Sequence, residues 1–281
     1  MNKRHRGVRL LLAFLIVMIL LPVAMTFLYS FFSMEEMQLY LATRSQSAEK
    51  WMEIKLIPKL FSLEQYWNQM IVDTQNLRFY LNSILYTICI LLGQMMVVPT
   101  TAYGLSRFRF PGREALSFLV IMLLLLPFQV TMVPTVLMLR KMGLMDTVWA
   151  VILPSVASPL YIFLLRQSML SIPGELFEAA QMDGAGPVRC YFYIALPVSK
   201  AMIGAFIALS FADLWNMVEQ PLVFLPTKTV LHPLSVAFQE LSTQGSSSIF
   251  AGAALYLLPA LMMYLLFQND IVSGLQLSEL K

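Results

Sequence analysis

The stretch Phe79–Ser106, with the sequence FYLNSILYTICILLGQMMVVPTTAYGLS, carries no charged residue and decides the fold class. An α-helix rises about 1.5 Å per residue, so about 20 apolar residues cross a hydrocarbon core about 30 Å thick. The stretch exceeds that length. It is continuous rather than divided into short alternating strands, which argues against a membrane β-barrel. The sequence therefore predicts an all-α integral membrane protein.

The composition of the whole chain also indicates a surface that faces lipid. Hydrophobic residues make up 58% of the 281 residues and charged residues make up 12%, which is about half the charged share of a soluble domain. The net charge of +3 is small and scattered, whereas nucleic-acid binding depends on dense patches of Lys and Arg. These values exclude a soluble enzyme, a disordered regulator and a nucleic-acid-binding protein, and they make the lipid bilayer the main contact.

Six segments are predicted to cross the membrane. Five of them are uncharged and long enough alone, namely Leu10–Met34, Phe79–Ser106, Ala115–Leu139, Thr147–Leu165 and Leu241–Asn269. The sixth joins the apolar run Ala201–Ala212 to Leu222–Leu225 and contains Asp213, Glu219 and Pro221. We interpret it as one helix, because the first run alone is too short to cross.

The orientation follows from the basic residues. The first span follows Lys3 to Arg9 as in a signal peptide, but its apolar run is about twice the usual length of a signal's apolar core, so we interpret it as an uncleaved helix. With the N-terminus inside, eleven Lys and Arg residues fall on the inner side and eight on the outer side. Both termini are therefore predicted to be cytoplasmic. Arg107, Arg109 and Arg113 are interpreted mainly as part of this inner charge, rather than as contacts with another protein.

No motif for covalent chemistry, cofactor binding or metal binding stands out. Cys89 and Cys190 match no zinc spacing, and His5 and His232 are isolated, so no cofactor and no metal site is predicted. The chain has no H-E-x-x-H and no G-x-S-x-G arrangement, which disfavours an intramembrane enzyme. It also has no Walker A sequence, so a process driven by ATP needs a separate ATPase chain.

Two segments are neither spans nor short connectors. The outer loop Ser33–Leu81 contains eleven charges and several aromatic residues, and it is predicted to pack as a small cap on the outer face. The inner segment Arg166–Lys200 is predicted to contain a short helix, with Ser171 as its cap, Pro173 in its first turn and Gly184 at its end. Such a short helix is unstable alone in water, so it packs on the chain's own membrane helices or docks into a cytoplasmic protein.

The inner segment contains Glu178-Ala179-Ala180, Asp183-Gly184-Ala185 and Ile194-Ala195-Leu196-Pro197. With these residues it resembles the EAA loop of binding-protein-dependent ABC importer permeases. Outside the loop, Ala102–Arg113 and Trp215-Asn216 are similar to the carbohydrate branch of that family, the maltose-type second permease. The similarity covers about Asn82 to the C-terminus.

The resemblance implies a type I ABC importer permease-like core with a short cytoplasmic coupling helix. It implies that an ATPase dimer at the cytoplasmic face docks on Glu178, Ala179, Ala180, Asp183 and Gly184. The resemblance also implies a second homologous permease subunit that completes the path, an extracellular solute-binding protein that delivers a carbohydrate, and a location in the inner membrane of a bacterial-type cell. The predicted domains are residues 1–81, with the first span and outer loop, and residues 82–281, the permease core with the coupling loop at about 171–197.

Two acids within the sixth predicted span are costly in a membrane. A charge at mid-bilayer costs about 2.5–3.5 kcal/mol on insertion scales, so Asp213 and Glu219 are expected to face protein or a water-filled path. In one interpretation they border a solute path together with Trp215 and Asn216, and in the other they are polar contacts between helices. The resembled family has an acid or similar polar residue after Trp-Asn, where this chain has Met217. The alternative function is an ion-coupled secondary carrier that uses both acids, although the sequence shows no internal repeat.

Overall fold

The computed structural model describes residues 3–39, 58–238 and 248–279, and the regular elements in these ranges are helical. Parts of two predictions lie outside the described residues. These parts are residues 40–57 of the predicted outer cap and residues 241–247 of the last predicted span.

The principal helices follow one another through short connectors. They are α1 (Lys3–Tyr29), α2 (Glu64–Trp67, continued by the π-helical turn Asn68–Val72), α3 (Thr74–Arg107), α4 (Arg113–Leu125), α5 (Phe128–Lys141), α6 (Val148–Val156), α7 (Pro159–Leu170), α8 (Gly174–Met182), α9 (Pro187–Val198, with a π-helical turn Tyr191–Ala195), α10 (Lys200–Trp215), α11 (Glu219–Phe224) and α12 (Ile249–Glu279).

Four helical segments of the described residues are long and apolar enough to cross a membrane. They are Leu11–Tyr29, Thr74–Arg107, Val148–Leu170 and Ile249–Gly274. Two further pairs of helices, α4 with α5 and α9 with α10, pass the same test only if each bent pair is counted as one span, which gives up to six. The all-helical membrane fold is therefore confirmed, whereas the number of six spans and the cytoplasmic location of both termini stay predictions.

The predicted span Ala115–Leu139 is not one straight helix. The helix breaks at Leu126, and the axes of α4 and α5 differ by 108°. Leu126 precedes Pro127 and has an extended backbone, with φ −77° and ψ 121°. A proline ring disfavours the helical conformation in the residue before it, so the chain turns at this point instead of crossing as one rod.

The predicted continuous helix through Pro221 is also wrong. Helix α10 ends at Trp215, and α11 begins separately at Glu219. Pro221 has no N–H to continue a helix from Met217, whose carbonyl oxygen accepts a hydrogen bond from the Ser235 hydroxyl instead. A proline in the first turn of a new helix is tolerated, because the first N–H groups have no helical acceptor.

One compact unit of the chain comprises Met1–Phe79 and Ala237–Pro259. Tyr29, Phe32 and Met37 form its buried core, and Phe250 packs against them with its ring centroid 5.2 Å from that of Tyr29. These contacts are aromatic and apolar, so the C-terminal end of α1 is packed rather than frayed.

The other compact unit comprises Tyr80–Val236 and Ala260–Lys281. Its largest buried cluster joins side chains of α3, α7, α9 and α10, and the rings of Tyr161 and Phe206 lie 4.9 Å apart within it. This cluster holds the helices that carry the candidate functional residues. The predicted division of the chain after residue 81 stays a prediction.

A polar contact in the second unit fixes the connector between α5 and α6. Asp146 has a left-handed backbone with φ 59°, which Asp tolerates better than most residues do. Its Oδ1 atom accepts hydrogen bonds from the backbone N–H groups of Thr227 at 2.9 Å and Lys228 at 3.2 Å. The bond from the Thr227 N–H is the main cause that holds the pKa of the Asp146 carboxyl below its usual value.

Replacing Asp146 with asparagine is expected to remove the pH dependence of this contact. Because folding lowers the pKa of Asp146, the contact is fully present above the ordinary carboxyl pKa and is lost as the pH falls through the lowered value. Protection of the Thr227 and Lys228 amides from hydrogen exchange should thus be constant above about pH 5 and fall below about pH 4. Asparagine keeps an acceptor oxygen and tolerates positive φ, so its weaker protection should not vary with pH.

Hydrogen exchange of the purified protein, corrected for the intrinsic rate at each pH, measures this effect. Asp146→Ala serves as the variant that lacks the acceptor altogether. A pH dependence retained in Asp146→Asn would show that another group controls the loop.

Candidate functional site

Helix α8 (Gly174–Met182) ends in a well-formed turn at Gly184. Gly184 has φ 79°, in the left-handed region that favours glycine. Its N–H donates to the carbonyl oxygen of Gln181 at 3.0 Å, and the N–H of Ala185 donates to that of Ala180 at 2.8 Å. This pair of bonds is a Schellman motif, which satisfies carbonyl groups that the helix end leaves free. The predicted end of the helix at Gly184 is therefore found in the structure.

The predicted start of this helix is displaced. Ser171 does not cap α8, because Pro173 occupies the position before its first residue. Ser171 instead follows α7, and its hydroxyl donates to the carbonyl oxygen of Ser168 at 2.7 Å. The prediction of a serine cap is wrong, and the first turn of α8 begins at Gly174 with Glu175 near its positive end.

An arginine from α3 anchors α8 to the membrane helices. Nη2 of Arg107 donates to the carbonyl oxygens of Met169 and Ile172, at 2.6 Å each. The guanidinium carbon lies 4.0 Å from the centroid of the buried Phe177 ring. Hydrogen bonds from a charged donor contribute about 1.5–3 kcal/mol each, and a cation–π contact adds about 0.5–2 kcal/mol. Arg107 therefore bonds the end of α7 and the connector before α8 to the end of α3, and it contacts α8 itself through the Phe177 ring.

This anchor differs from the role that the sequence indicated for the arginine-rich connector. Arg109 is exposed and Arg113 reaches only the carbonyl oxygen of Phe108 at 3.5 Å, so a role as inner positive charge suits these two residues. Arg107 is turned inward and makes specific contacts. The sequence shows only an arginine directly after a predicted span and, 70 residues later, a phenylalanine in a short helix. This signal is too weak to predict the pair.

The opposite face of α8 is open. Glu178, Ala179, Asp183 and Gly184 are exposed, whereas Ala180 packs partly against the buried cluster of the second unit. On this helix Leu176 is exposed, whereas Phe177 is buried. The open face thus combines small residues, two carboxylates and exposed apolar side chains, a surface suited to close docking by another protein with basic residues.

The two acids of the predicted solute path each accept a hydrogen bond from a neighbouring helix. Oδ2 of Asp213 accepts from the Tyr161 hydroxyl of α7 at 2.6 Å. The carboxylate of Glu219 accepts from the side-chain amide of Gln129 of α5 at 3.2 and 3.3 Å. Both acids are exposed on the chain's own surface. They are therefore oriented by donors, and each remains accessible for a further hydrogen bond.

Trp215 and Asn216 occupy different environments. Trp215 is buried, with its ring stacked on Phe211 at 5.6 Å and edge-on to Tyr80 at 5.9 Å. Asn216 is exposed, and its side-chain amide donates to the carbonyl oxygen of Ala212 at 2.8 Å. The four predicted path residues thus lie near the end of α10 and the start of α11. The Trp215 ring is buried among other aromatic rings, whereas the other three side chains are exposed.

A buried polar network beside these residues was not predicted. Oε1 of Gln94 accepts from the Ser210 hydroxyl at 2.5 Å, and Nε2 of Gln94 donates to the carbonyl oxygen of Ser155 at 2.8 Å. The Ser155 hydroxyl donates to Oε1 of Gln220 at 3.1 Å. The network connects α3, α6, α10 and α11 in the part of the chain where α10 gives way to α11. A glutamine in the middle of an uncharged span is the signal in the sequence that could have indicated it.

Known proteins that are similar to this chain are membrane permeases. The family profile described as binding-protein-dependent transport system inner membrane component matches residues 90–271. The sn-glycerol-3-phosphate transport system permease protein of Pectobacterium atrosepticum is 34% identical over 204 residues, which cover 71% of this chain and 72% of that protein. The protein of the same name from Shigella flexneri serotype 5b is 31% identical over 248 residues, 85% of this chain and 88% of that protein.

Solved structures show the same fold. A chain of a bacterial ABC transporter involved in the import of the acidic polysaccharide alginate matches with a TM-score of 0.80 and 21% identity, covering 96% of this chain and 98% of that chain. A chain of the alginate transporter in complex with an alginate pentasaccharide-bound periplasmic protein matches with a TM-score of 0.62 and 16% identity. At these identities the likeness shows the fold alone, and it agrees with the expected permease core.

Proposed function

We propose that this chain, which belongs to the family of binding-protein-dependent transport system inner membrane components, forms half of the translocation path of an ATP-driven ABC importer. In this proposal a second, homologous permease subunit supplies the other half. An ATPase dimer docks at α8, and an external solute-binding protein delivers the solute. The chain itself moves solute by alternating access and performs no covalent chemistry.

The observation that carries the proposal is the geometry of α8. One side of this helix is held by Arg107 and Phe177, and the other side is exposed around Glu178 and Ala179. A short helix that is attached on one side and open on the other can transmit the movement of a docked protein to the membrane helix that it contacts. In this proposal the docked protein is the ATPase, and it contacts Glu178, Ala179, Ala180, Asp183 and Gly184.

We propose that the solute is a carbohydrate or a related polyol derivative. The curated relatives transport sn-glycerol 3-phosphate, and the solved transporter of the same fold imports alginate. Hydroxyl-rich solutes need hydrogen-bond acceptors and donors along the path. Asp213, Glu219 and Asn216 are exposed and offer such groups where α10 passes into α11.

The ion-coupled secondary carrier is not favoured by the family to which the chain belongs. Its two proposed coupling acids also have an ordinary structural explanation, since Tyr161 and Gln129 each satisfy one carboxylate. Membership in a family of transport permeases likewise leaves no role for the chain as an intramembrane enzyme.

Uptake by the reconstituted complex tests the proposal. The chain, a partner permease, an ATPase and the binding protein are assembled in proteoliposomes, and uptake of maltooligosaccharides, alginate oligosaccharides and sn-glycerol 3-phosphate is measured. Uptake of at least one solute should require ATP on the side of the ATPase and fall to background without the ATPase chain. Uptake that persists without the ATPase and follows a proton or sodium gradient, and that is lost in Asp213→Asn with Glu219→Gln, would support the carrier instead.

A further inference from the structure

In helix α2 and its π-helical extension the apolar side chains of one face are exposed and the glutamine side chains are buried, the reverse of the pattern on a helix that faces water. Leu63, Trp67 and Ile71 lie four residues apart, so they share one face of the helix, and all three are exposed. Gln65 and Gln69 lie on the other face and are buried, with Gln65 fully so. A helix at a water boundary normally shows the opposite pattern.

The buried glutamine has a defined structural role. The Nε2 atom of Gln65 donates to the carbonyl oxygens of Tyr29 at 2.9 Å and Phe32 at 2.8 Å. These carbonyl groups belong to the last residue of α1 and to a residue just beyond it, where a helix leaves its last acceptors without helical partners. The neighbouring Tyr66 hydroxyl is 2.7 Å from the Ser30 hydroxyl. Helix α2 is therefore bonded to the C-terminal end of α1 through its polar face, and its apolar face points away.

The length of α1 places this junction at the membrane boundary. The apolar segment Leu11–Tyr29 has 19 residues, which extend about 28 Å and match a hydrocarbon core about 30 Å thick. No residue in the most apolar part of this segment is buried within the chain, so the segment has a surface suited to lipid. Since α2 is bonded to Tyr29 and Phe32, its outward face continues that surface at the depth where the hydrocarbon ends.

The residues of the face suit that depth. Trp67 is 61% exposed and Phe61, just before the helix, is 76% exposed, and tryptophan is enriched where hydrocarbon meets headgroups. Charged residues flank the face, with Lys59 before it and Asp73 after it. The carboxylate of Glu64, within the helix, is turned back to accept the Met34 N–H at 3.3 Å. An apolar surface of this kind in water would be a liability for aggregation.

We propose that Leu63, Trp67 and Ile71 form a lipid-contact face that anchors the C-terminal end of α1 in the interface of the bilayer. Helix α2 lies in the membrane plane with its apolar side chains in the boundary between headgroups and acyl chains, as interfacial helices do. Part of the segment expected to form a cap in water is thus an anchor in lipid. The anchor sets the depth of α1 whether or not the chain is an ATP-driven importer.

Spin labels on the outward face test this anchor in the full chain, assembled with its partner subunits in proteoliposomes. In a background with Cys89→Ser and Cys190→Ala, single labelled cysteines replace Leu63, Trp67 or Ile71. Ile19→Cys on the apolar surface of α1 is the lipid reference, and Lys228→Cys in an exposed loop is the water reference. Dissolved oxygen reports access from lipid, and a polar nickel chelate reports access from water.

At all three positions oxygen should relax the label more strongly than at Lys228→Cys and less strongly than at Ile19→Cys, because the interface is shallower than the middle of the apolar segment Leu11–Tyr29. The nickel chelate should act at least about tenfold more weakly than at Lys228→Cys, because polar groups are excluded from hydrocarbon. High access to the chelate would overturn the proposal in favour of a water-exposed cap. Low access to both reagents would overturn it in favour of cover by protein, from this chain or from a partner.

Tryptophan fluorescence gives a second measurement that needs no label. Phospholipids with brominated acyl chains should quench the wild-type protein more than Trp67→Phe, which lacks only the indole. Equal quenching of both proteins would show that Trp67 does not contact lipid.

Discussion

Replacement of Gly184 by valine is expected to reduce ATP-driven solute uptake strongly while the chain still inserts into the membrane. The left-handed backbone of Gly184, with φ 79°, costs an L-residue about 1–2 kcal/mol, and more for a β-branched one. The N–H groups of Gly184 and Ala185 close the end of α8. Apart from the chain neighbours of Gly184, no described atom lies within 4 Å of a Cβ built on it, so we expect the effect to come from unwinding of the helix end and from the proposed contact with an ATPase.

Uptake per assembled permease should fall at least about tenfold, since each 1.4 kcal/mol is a factor of about ten. Gly186→Val is the matched control. Gly186 has φ −74° and ψ 171°, an extended conformation open to valine, and its surroundings are equally open. The control should retain most of its uptake, and both variants should be present in the membrane in wild-type amounts. Full uptake by Gly184→Val, or an equal loss in both variants, would contradict the assigned role of the turn.

The same glycine illustrates what the sequence can predict. A positive φ at the end of a helix is a local demand that glycine meets at least cost, so the end of α8 could be predicted from Gly184 alone. The start of the helix could not. Ser171 has the chemistry of an N-cap, but it follows α7 and bonds to Ser168, and local preference does not tell which of two adjacent helices a boundary residue serves.

The breaks in the predicted spans have a similar explanation. The length of the uncharged runs identified the apolar segments, but it does not show where a helix within such a run bends or ends. Leu126 is extended because Pro127 follows it, whereas α10 ends at Trp215 and Pro221 lies in the first turn of the next helix, α11. Membrane helices often tolerate proline, so the sequence left open whether these positions bend a helix or end it.

The side-chain contacts of the site depend on residues far apart in the chain. Arg107 and Phe177 are 70 positions apart, and Gln94 and Ser210 are 116 apart. Composition and periodicity carry no information on such pairs. The structure adds a mechanical connection, because α3 bears the α8 anchor at Arg107 and the polar network at Gln94. These residues lie 13 positions apart on one helix, about 20 Å along its axis.

Replacement of Arg107 by glutamine is expected to detach α8 from α3 and to reduce uptake about as strongly as loss of the ATPase. The variant removes hydrogen bonds to the carbonyl oxygens of Met169 and Ile172 and the contact with the Phe177 ring. A loss of about 3 kcal/mol from the charged hydrogen bonds should speed local opening about 100-fold. Hydrogen exchange of the Gly174–Met182 amides, in the chain without bound ATPase, measures that opening directly.

Arg109→Gln is the matched control, because it removes the same charge from the same connector at an exposed position. It should leave both the exchange of α8 and uptake close to wild type. Arg107→Lys should be intermediate, since a lysine ammonium keeps the charge but lacks the planar fork that reaches two carbonyl groups and stacks on a ring. If Arg109→Gln reduced uptake as much as Arg107→Gln, the connector would act through its charge in membrane topology. If Arg107→Gln left the exchange of α8 unchanged, another contact would hold the helix, and Arg107 would have no anchoring role.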